Sequence, residues 1–347
     1  MIVVPEFMII QDLSDERWLS CIKKSPQANL FHHPVWMNLL AECYGYHPFI
    51  IAILDENGEI LAGLPIMEIS SIINARRWVS LPFTDHCKPL YRDKECLDLL
   101  AKGFTQLINK KHITRVELRW EIPLNVTMYP SAQYTLHSLK LEDDFERVAS
   151  RFERVHRQNV RQAEKNGIRV KWGENLEDVR EFYNLQLATR HRHGVPSQPW
   201  RYFKLVTMHL IEKGYGSVLL AYQGEQCIAG IVLLHWQNTL ICKYAASREE
   251  NMKLRANNLL FYMAIRWGCE NGFKLFDMGR TNLDNPGLGR FKKGWGADEM
   301  PLNYFTISRT PRQPVPGNLM KIVKPIIQRS PRWVCQFAGE LFYKYFG

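Results

Sequence analysis

Apolar and polar positions alternate along the chain in blocks whose period changes. Residues Ser14–Lys24 and Pro34–Tyr44 carry apolar side chains at helical spacing, with Pro34 suited to a first turn. The run Phe49–Leu54, the turn Asp55-Glu-Asn-Gly58 and the run Ile60–Met67 predict a β-hairpin, since Asn-Gly between apolar runs is a strong hairpin signal. A strand over Arg77–Phe83 follows, then a helix over Cys96–Lys110 and a strand over Ile113–Trp120. Beyond these, Phe145–Gly167 reads as one long helix. Leu176–His191 reads as a second, stopped by Gly194 and Pro196, and Tyr202–Lys213 as a third. A second hairpin is predicted from Ser217–Tyr222, the turn Gln223-Gly-Glu and Ile228–Leu234. Phe273, Leu275, Phe276 and Met278 then predict a buried strand that breaks at Gly279. A polar, turn-rich loop follows it, and then the basic segment Gly289-Arg-Phe-Lys-Lys-Gly-Trp-Gly.

The two halves repeat one another. Both hairpins carry an Ala-Gly pair, Ala62-Gly63 and Ala229-Gly230. The stretch from Asp98 to Trp120 aligns without gaps on Asn258 to Arg280, which puts Glu117 at the place of Asp277. Self-similarity at a fixed spacing is the mark of a duplicated unit. The expected fold class is therefore α/β, with mixed sheets in two domains of one design at 1–144 and 145–310, followed by a helical tail at 311–347.

Composition narrows the class of partner. The chain has 347 residues, 46% hydrophobic and 23% charged, which suits a globular protein of about two domains. Its net charge of +10 favours anionic partners. Eight scattered cysteines without a Cys-x-x-Cys read as reduced structural residues, which points to the cytoplasm. Asp85-His86-Cys87 has no second cluster at ligand spacing, so no metal site is expected. The start, MIVVPEFMII, lacks a basic region and a cleavage site and reads as a strand, and no apolar run reaches the length of a membrane span.

Two stretches concentrate charge. On the helix expected at Phe145–Gly167, Arg147, Arg151, Arg154, Arg157, Arg161 and Lys165 fall within roughly a 120° arc, an anion-binding stripe or a solvated face. In the tail, Leu319-Met320, Ile322-Val323 and Ile326-Ile327 recur among Lys321, Lys324 and Arg329. After Pro331 come Trp333, Phe337, Leu341, Phe342, Tyr345 and Phe346. Such a basic, aromatic-rich helix lies in a membrane interface or rests on the protein's own core. The first alternative would make the protein peripheral at the inner membrane face. His191 and His193 suit either acid–base work or a helix C-terminus.

There is no Gly-x-Ser-x-Gly, Walker loop, dinucleotide fingerprint or His-Glu-x-x-His. That suits direct transfer, in which an amine attacks a bound carbonyl. A strand that empties into a loop carrying Asp277, Arg280, Arg290, Lys292 and Lys293 can present the polar groups this needs.

The run Phe276-Asp-Met-Gly-Arg-Thr-Asn with Gly287-Leu-Gly-Arg-Phe-Lys-Lys-Gly-Trp-Gly-Ala resembles the C-terminal motif of FemAB-like transferases and of the wider GNAT-like family. Members of that family act in peptidoglycan bridge formation and in exopolysaccharide systems. The stretches His156–Lys165, Thr189–Pro196 and Leu254–Leu260 resemble it too, in the same order. The resemblance spans about Phe145–Trp295. It implies two GNAT-like halves, the second catalytic, and transfer of an aminoacyl or acyl group to an amine of a cell-envelope or polysaccharide precursor. It gives Lys292 the stabilisation of charge on the carbonyl or on a substrate phosphate. It makes Asp277 an acceptor or positioning carboxylate, unless that residue is simply paired with Arg280. Arg157, Arg161, Lys165, Arg190, His193, Arg290 and Lys293 would hold anionic substrate groups, and Asn258 would mark a donor-binding helix N-terminus. No resident cofactor is implied; the donor is aminoacyl-tRNA or acyl-CoA. Two features depart from the family. Arg248–Asn258 contains no glycine of an acyl-CoA loop, and no coiled-coil arm is present. An acyl-carrier-dependent N-acyltransferase and a non-catalytic binder of nucleic acid or anionic lipid remain as alternatives.

Overall fold

The computed structural model describes residues 5–70, 76–124, 126–308 and 324–345. These form two compact units: 5–134 with 301–308, and 135–300 with 324–345. The tail positions Leu319, Met320, Lys321, Ile322 and Val323 lie outside the described residues, as does Phe346.

In the first unit, β1 (Glu6–Ile10), β2 (His47–Leu54), β3 (Ile60–Ile69), β4 (Arg77–Val79), β6 (Arg115–Leu118) and β13 (Asp298–Ser308, from Pro301 on) lie side by side in that order, with β5 (Leu90–Tyr91) beside β3. The β2–β3 hairpin is the one predicted. Asp55 closes its turn by accepting from the N–H groups of Asn57 and Glu59 at 2.9 and 2.8 Å. Helix α1 (Glu16–Lys24) covers one face by setting Trp18 onto Gly63, where an added Cβ would meet the indole at 2.7 Å. Helix α2 (Pro34–Tyr44) follows α1, and α3 (Lys94–Lys110) stacks Phe104 on Trp78.

The second unit repeats this pattern. Its sheet runs β7 (Tyr129–Lys140, from Thr135 on), β12 (Leu275–Asn282), β11 (Thr239–Ser247), β10 (Gln226–Trp236), β9 (Gly216–Gln223), β8 (Arg169–Gly173). The pairings β8–β9, β9–β10 and β10–β11 are antiparallel and β11–β12 is parallel, the same senses as β1–β2, β2–β3, β3–β4 and β4–β6. Helix α6 (Leu176–His193) sets Phe182 on Gly230, as Trp18 sits on Gly63. On the other face, Ala229, Ile231 and Leu233 join Leu259, Leu260 and Ala264 of α8 (Ala256–Glu270) in the main core. The aligned acids hold equivalent registers: Glu117 pairs with Val79, and Asp277 with Ile241. The predicted duplication is therefore present in three dimensions.

Four sequence expectations change. The helix expected over Phe145–Gly167 is two helices, α4 (Phe145–Ser150) and α5 (Arg154–Lys165). The chain turns at Arg151–Glu153 because the Glu153 N–H donates to the Gly294 carbonyl at 2.8 Å instead of continuing the helix. Arg147 and Arg151 leave the stripe; the first pairs with Asp144, the second with Glu142. The predicted strand does not end at Gly279 but runs on to Asn282 as β12. The basic segment after it is helical: α9 (Pro286–Lys293) is capped by Asn285, whose side chain accepts from the Leu288 N–H at 3.2 Å, with Pro286 in the first turn. The helix expected at Tyr202–Lys213 is α7 (Trp200–Val206) followed by a π-turn at Thr207–Ile211.

Candidate functional site

Strands β11 and β12 pair only at Thr239–Leu275, Leu240–Phe276 and Ile241–Asp277. Each then bends. The β10–β11 ladder shifts register just past Cys242, which leaves Lys243 as an extra residue in β11. In β12, Gly279 takes a φ of +69°, a conformation that costs glycine nothing. Beyond that point the two strands share no ladder pair, and Ala245 lies exposed in the middle of β11. The two strands thus diverge, and the gap between them can take an extended ligand that carries amides.

Lys292 anchors the β12 side of this opening. It is 5% exposed, and its Nζ donates to the carbonyls of Gly279 at 2.9 Å and Arg280 at 3.0 Å. The kink at Gly279 is what turns these carbonyls toward α9. Asp277, also buried, accepts the Gly279 N–H at 2.7 Å and so holds the same kink from within the strand. Asp277, Gly279 and Lys292 therefore form one polar cluster, to which Arg280 contributes its backbone carbonyl. An ammonium buried this deeply must be hydrogen-bonded, and here backbone oxygens supply the bonds.

Three residues that the sequence reading did not assign complete the cluster. His137 of β7 is fully buried, with Nδ1 3.3 Å from Thr281 Oγ1 and Nε2 3.2 Å from Glu299 Oε1. Glu299 Oε2 in turn accepts from Lys293 at 3.1 Å. Burial and the positive charge of Lys292 lower the His137 pKa, partly opposed by its hydrogen bond to Glu299, so the imidazole is neutral at pH 7. Hydrogen bonds from Lys293 lower the Glu299 pKa. His137 lies over 140 positions from Thr281 and over 160 from Glu299, separations that no local pattern reports.

His156 of α5 is the fourth unassigned group. Its Nε2 donates to the Phe291 carbonyl at 2.7 Å, its ring lies 4.5 Å from that of Trp295, and its Nδ1 is buried without a partner among the described residues. Gly294 allows this packing, because a Cβ there would stand 2.7 Å from His156 Nε2.

At the other end of the opening, β11 leads through 248–255 to the N-terminus of α8. Arg255 adopts a φ of +62° there and provides no side-chain cap. Ser247, the last residue of β11, is held by Thr189 Oγ1, by Arg192 and by Asn257, all at 3.3 Å. Asn258 is buried, and its Nδ2 has no hydrogen-bond acceptor among the described residues. A helix N-terminus without a side-chain cap, beside an amide donor that has no acceptor among the described residues, is able to accept an anion.

Of the remaining predicted residues only Lys293 touches the Lys292 cluster, through Glu299. Arg157, Arg161 and Lys165, with Arg154, are exposed on one face of α5 and have no ion-pair partner among the described residues. The stripe is thus four residues long. Its far end approaches the turn that precedes α8, where Asn166 Nδ2 donates to the Leu254 carbonyl at 3.5 Å. Arg190 is half-buried and donates to the Pro196 carbonyl at 3.1 Å, which places it in the α6 end rather than at the cluster. His193, Arg290 and Lys293 are exposed. No group of three metal-binding side chains occurs among the described residues.

Comparison with known proteins agrees with this geometry. Residues 150–293 match the family of acetyltransferase (GNAT) domains. No curated protein matches the chain in sequence. Among solved structures, FemX superposes with a TM-score of 0.67 at 15% identity, covering 92% of this chain and 100% of that one. L-PGS from Bacillus licheniformis gives 0.54 at 14% identity, covering 92% and 99%. A tandem GNAT protein from the clavulanic acid biosynthesis pathway gives 0.53 at 12% identity, covering 89% and 100%. At these identities the likeness is one of fold. The chain shares its fold with these proteins, a tandem GNAT protein among them, and residues 150–293 of the second unit match the acetyltransferase (GNAT) domain.

Proposed function

We propose that this chain, a tandem GNAT protein whose second half is an acetyltransferase-family domain, transfers an aminoacyl group from a charged tRNA to an amine of a cell-envelope precursor. The observation that carries the reading is the opening between β11 and β12, with an uncapped helix N-terminus and the unpaired Asn258 amide at one end and the Lys292 cluster at the other. The donor's phosphate is bound at the α8 N-terminus. Its carbonyl lies between the strands, where the positive field of Lys292 stabilises charge that grows on oxygen. Asp277 positions the kinked backbone around that carbonyl. The α5 stripe favours a polyanion over a single pyrophosphate. Arg154 to Lys165 spans roughly 16 Å at the rise of an α-helix, and the four cations have no ion-pair partner among the described residues.

The second reading is an acyl-CoA donor. It rests on the gap between the diverging strands, whose length suits a pantetheine-like arm, and on the fold shared with the tandem GNAT protein of the clavulanic acid pathway. The deciding experiment is a titration at physiological salt with charged tRNA, uncharged tRNA and acyl-CoA, on the wild type and on Asn258→Ala. Binding that requires the aminoacyl group and weakens about tenfold or more in the variant supports the leading reading. Saturable acyl-CoA binding, with tRNA binding that ignores the aminoacyl group, moves the protein to the second. Specific binding of neither ligand refutes both.

A further inference from the structure

Residues 324–345 carry large apolar side chains on the outside. We propose that this surface docks on a bilayer containing anionic lipid. Helix α10 (Arg332–Phe342) is fixed to the second unit by its small residues. A Cβ on Gly339 would stand 1.9 Å from the Ser197 carbonyl oxygen, so the helix backbone lies directly on that loop. Cys335 Sγ donates to the Val195 carbonyl, and Glu340 accepts the Trp200 N–H at 2.9 Å. The preceding helical segment at 324–329 is held by Gln328 on the Arg192 carbonyl at 2.7 Å and by Lys324, whose side chain lies against Gly194.

The opposite face is where a helix built only to cover its own protein would be polar. Instead Trp333 is 65% exposed, Phe337 57% and Leu341 45%, within about an 80° arc at helical spacing. Cys335 and Gly339 lie on the far side of that arc. Ile326 and Phe342 add to the exposed surface at 58% and 53%. An exposed apolar patch of this kind marks an interaction site. The charge around it selects the partner. Lys324, Arg329, Arg332 and Lys344 are all exposed, while Glu340 is the sole acid from 324 to 345 and is held on Trp200. A second copy of the same surface would bring these cations against their own equivalents, which costs affinity. An anionic lipid surface pairs with them, and its headgroup layer accepts Trp and Phe side chains.

The test uses the full chain, sedimented with vesicles of phosphatidylcholine alone or mixed with phosphatidylglycerol. Wild type is expected to partition onto the mixed vesicles and to be released by salt. The double variant Phe337→Glu, Leu341→Glu should lose at least about tenfold in partition, since each large apolar side chain withdrawn from the interface is worth roughly that factor. Both side chains point to solvent, so the unfolding midpoint should not move. As a second reading, the emission difference between wild type and Trp333→Phe should shift to the blue on mixed vesicles. Wild type that stays in the supernatant with mixed vesicles overturns the proposal. So does a double variant that binds like wild type, or a protein dimer that the double variant abolishes while vesicle binding is absent. Transfer to a soluble acceptor should be unaffected by the double variant, which separates this inference from the activity itself.

Discussion

Replacing Lys292 by methionine keeps the length of the side chain and removes its charge. The ammonium donates to the carbonyls of Gly279 at 2.9 Å and Arg280 at 3.0 Å. Hydrogen bonds from a charged donor are worth about 1.5–3 kcal/mol each, so two of them bound the gross loss at about 3–6 kcal/mol. Part of this is recovered, because a buried ammonium no longer has to be desolvated. We expect a net stability loss of about 2 kcal/mol, enough to be measured by urea unfolding and too small to unfold the chain at 25 °C. The effect on transfer should be larger. Removing one well-placed electrostatic stabiliser typically costs about 10²–10³ in rate. The assay is the single-turnover transfer rate at a temperature where both proteins are fully folded, measured beside the unfolding midpoint. A variant with wild-type stability would refute the bonding described here. A variant that loses stability but transfers at the wild-type rate would make Lys292 a structural anchor only.

Two further substitutions test the surroundings. Gly294→Ala should cost about 1–3 kcal/mol and loosen the His156 contact, since its Cβ would meet the imidazole at 2.7 Å, whereas Gly289→Ala, with open space around it, should be neutral or slightly stabilising; comparing the two unfolding midpoints checks this. In the first unit, His32 is fully buried, with its ring nitrogens against Asn29 and the Lys88 carbonyl, and burial pushes its pKa down from 6.5 to about 4. The folded state therefore resists protonation more than the unfolded chain does. The stability this provides is complete above pH 6.5 and is lost as the pH falls toward 4, about 3 kcal/mol in all. Unfolding of wild type and His32→Gln at pH 7 and at pH 4.5 should show a steep acid loss in the first and a shallower one in the second.

Much of this architecture is legible in the sequence because it is written in short-range patterns. The two hairpins follow from alternation around Asn57-Gly58 and Gly224, and the duplication follows from the two Ala-Gly pairs and the gapless match of Asp98–Trp120 on Asn258–Arg280. The strand carrying Asp277 and the position of Asn258 near a helix start were readable for the same reason. Other features depend on contacts that local spacing does not encode. The break between α4 and α5 is set by Glu153 bonding to Gly294, 141 positions away. His137 acquires its setting from Thr281 and Glu299, on strands far along the chain. Helix α9 is a different case. Its glycines suggested a loop, yet Asn285 as cap and Pro286 in the first turn were a helix-start signal in plain view.

The measurement that bears most directly on the account is group transfer itself. Donor labelled on its aminoacyl or acyl group would be mixed with excess protein and an amine acceptor, and the label followed from donor to amine in a single turnover. The account predicts transfer to the amine that depends on wild-type protein and falls by about 10²-fold or more in Lys292→Met. Label that stays on every donor tried, at protein concentrations above the measured Kd, would contradict it.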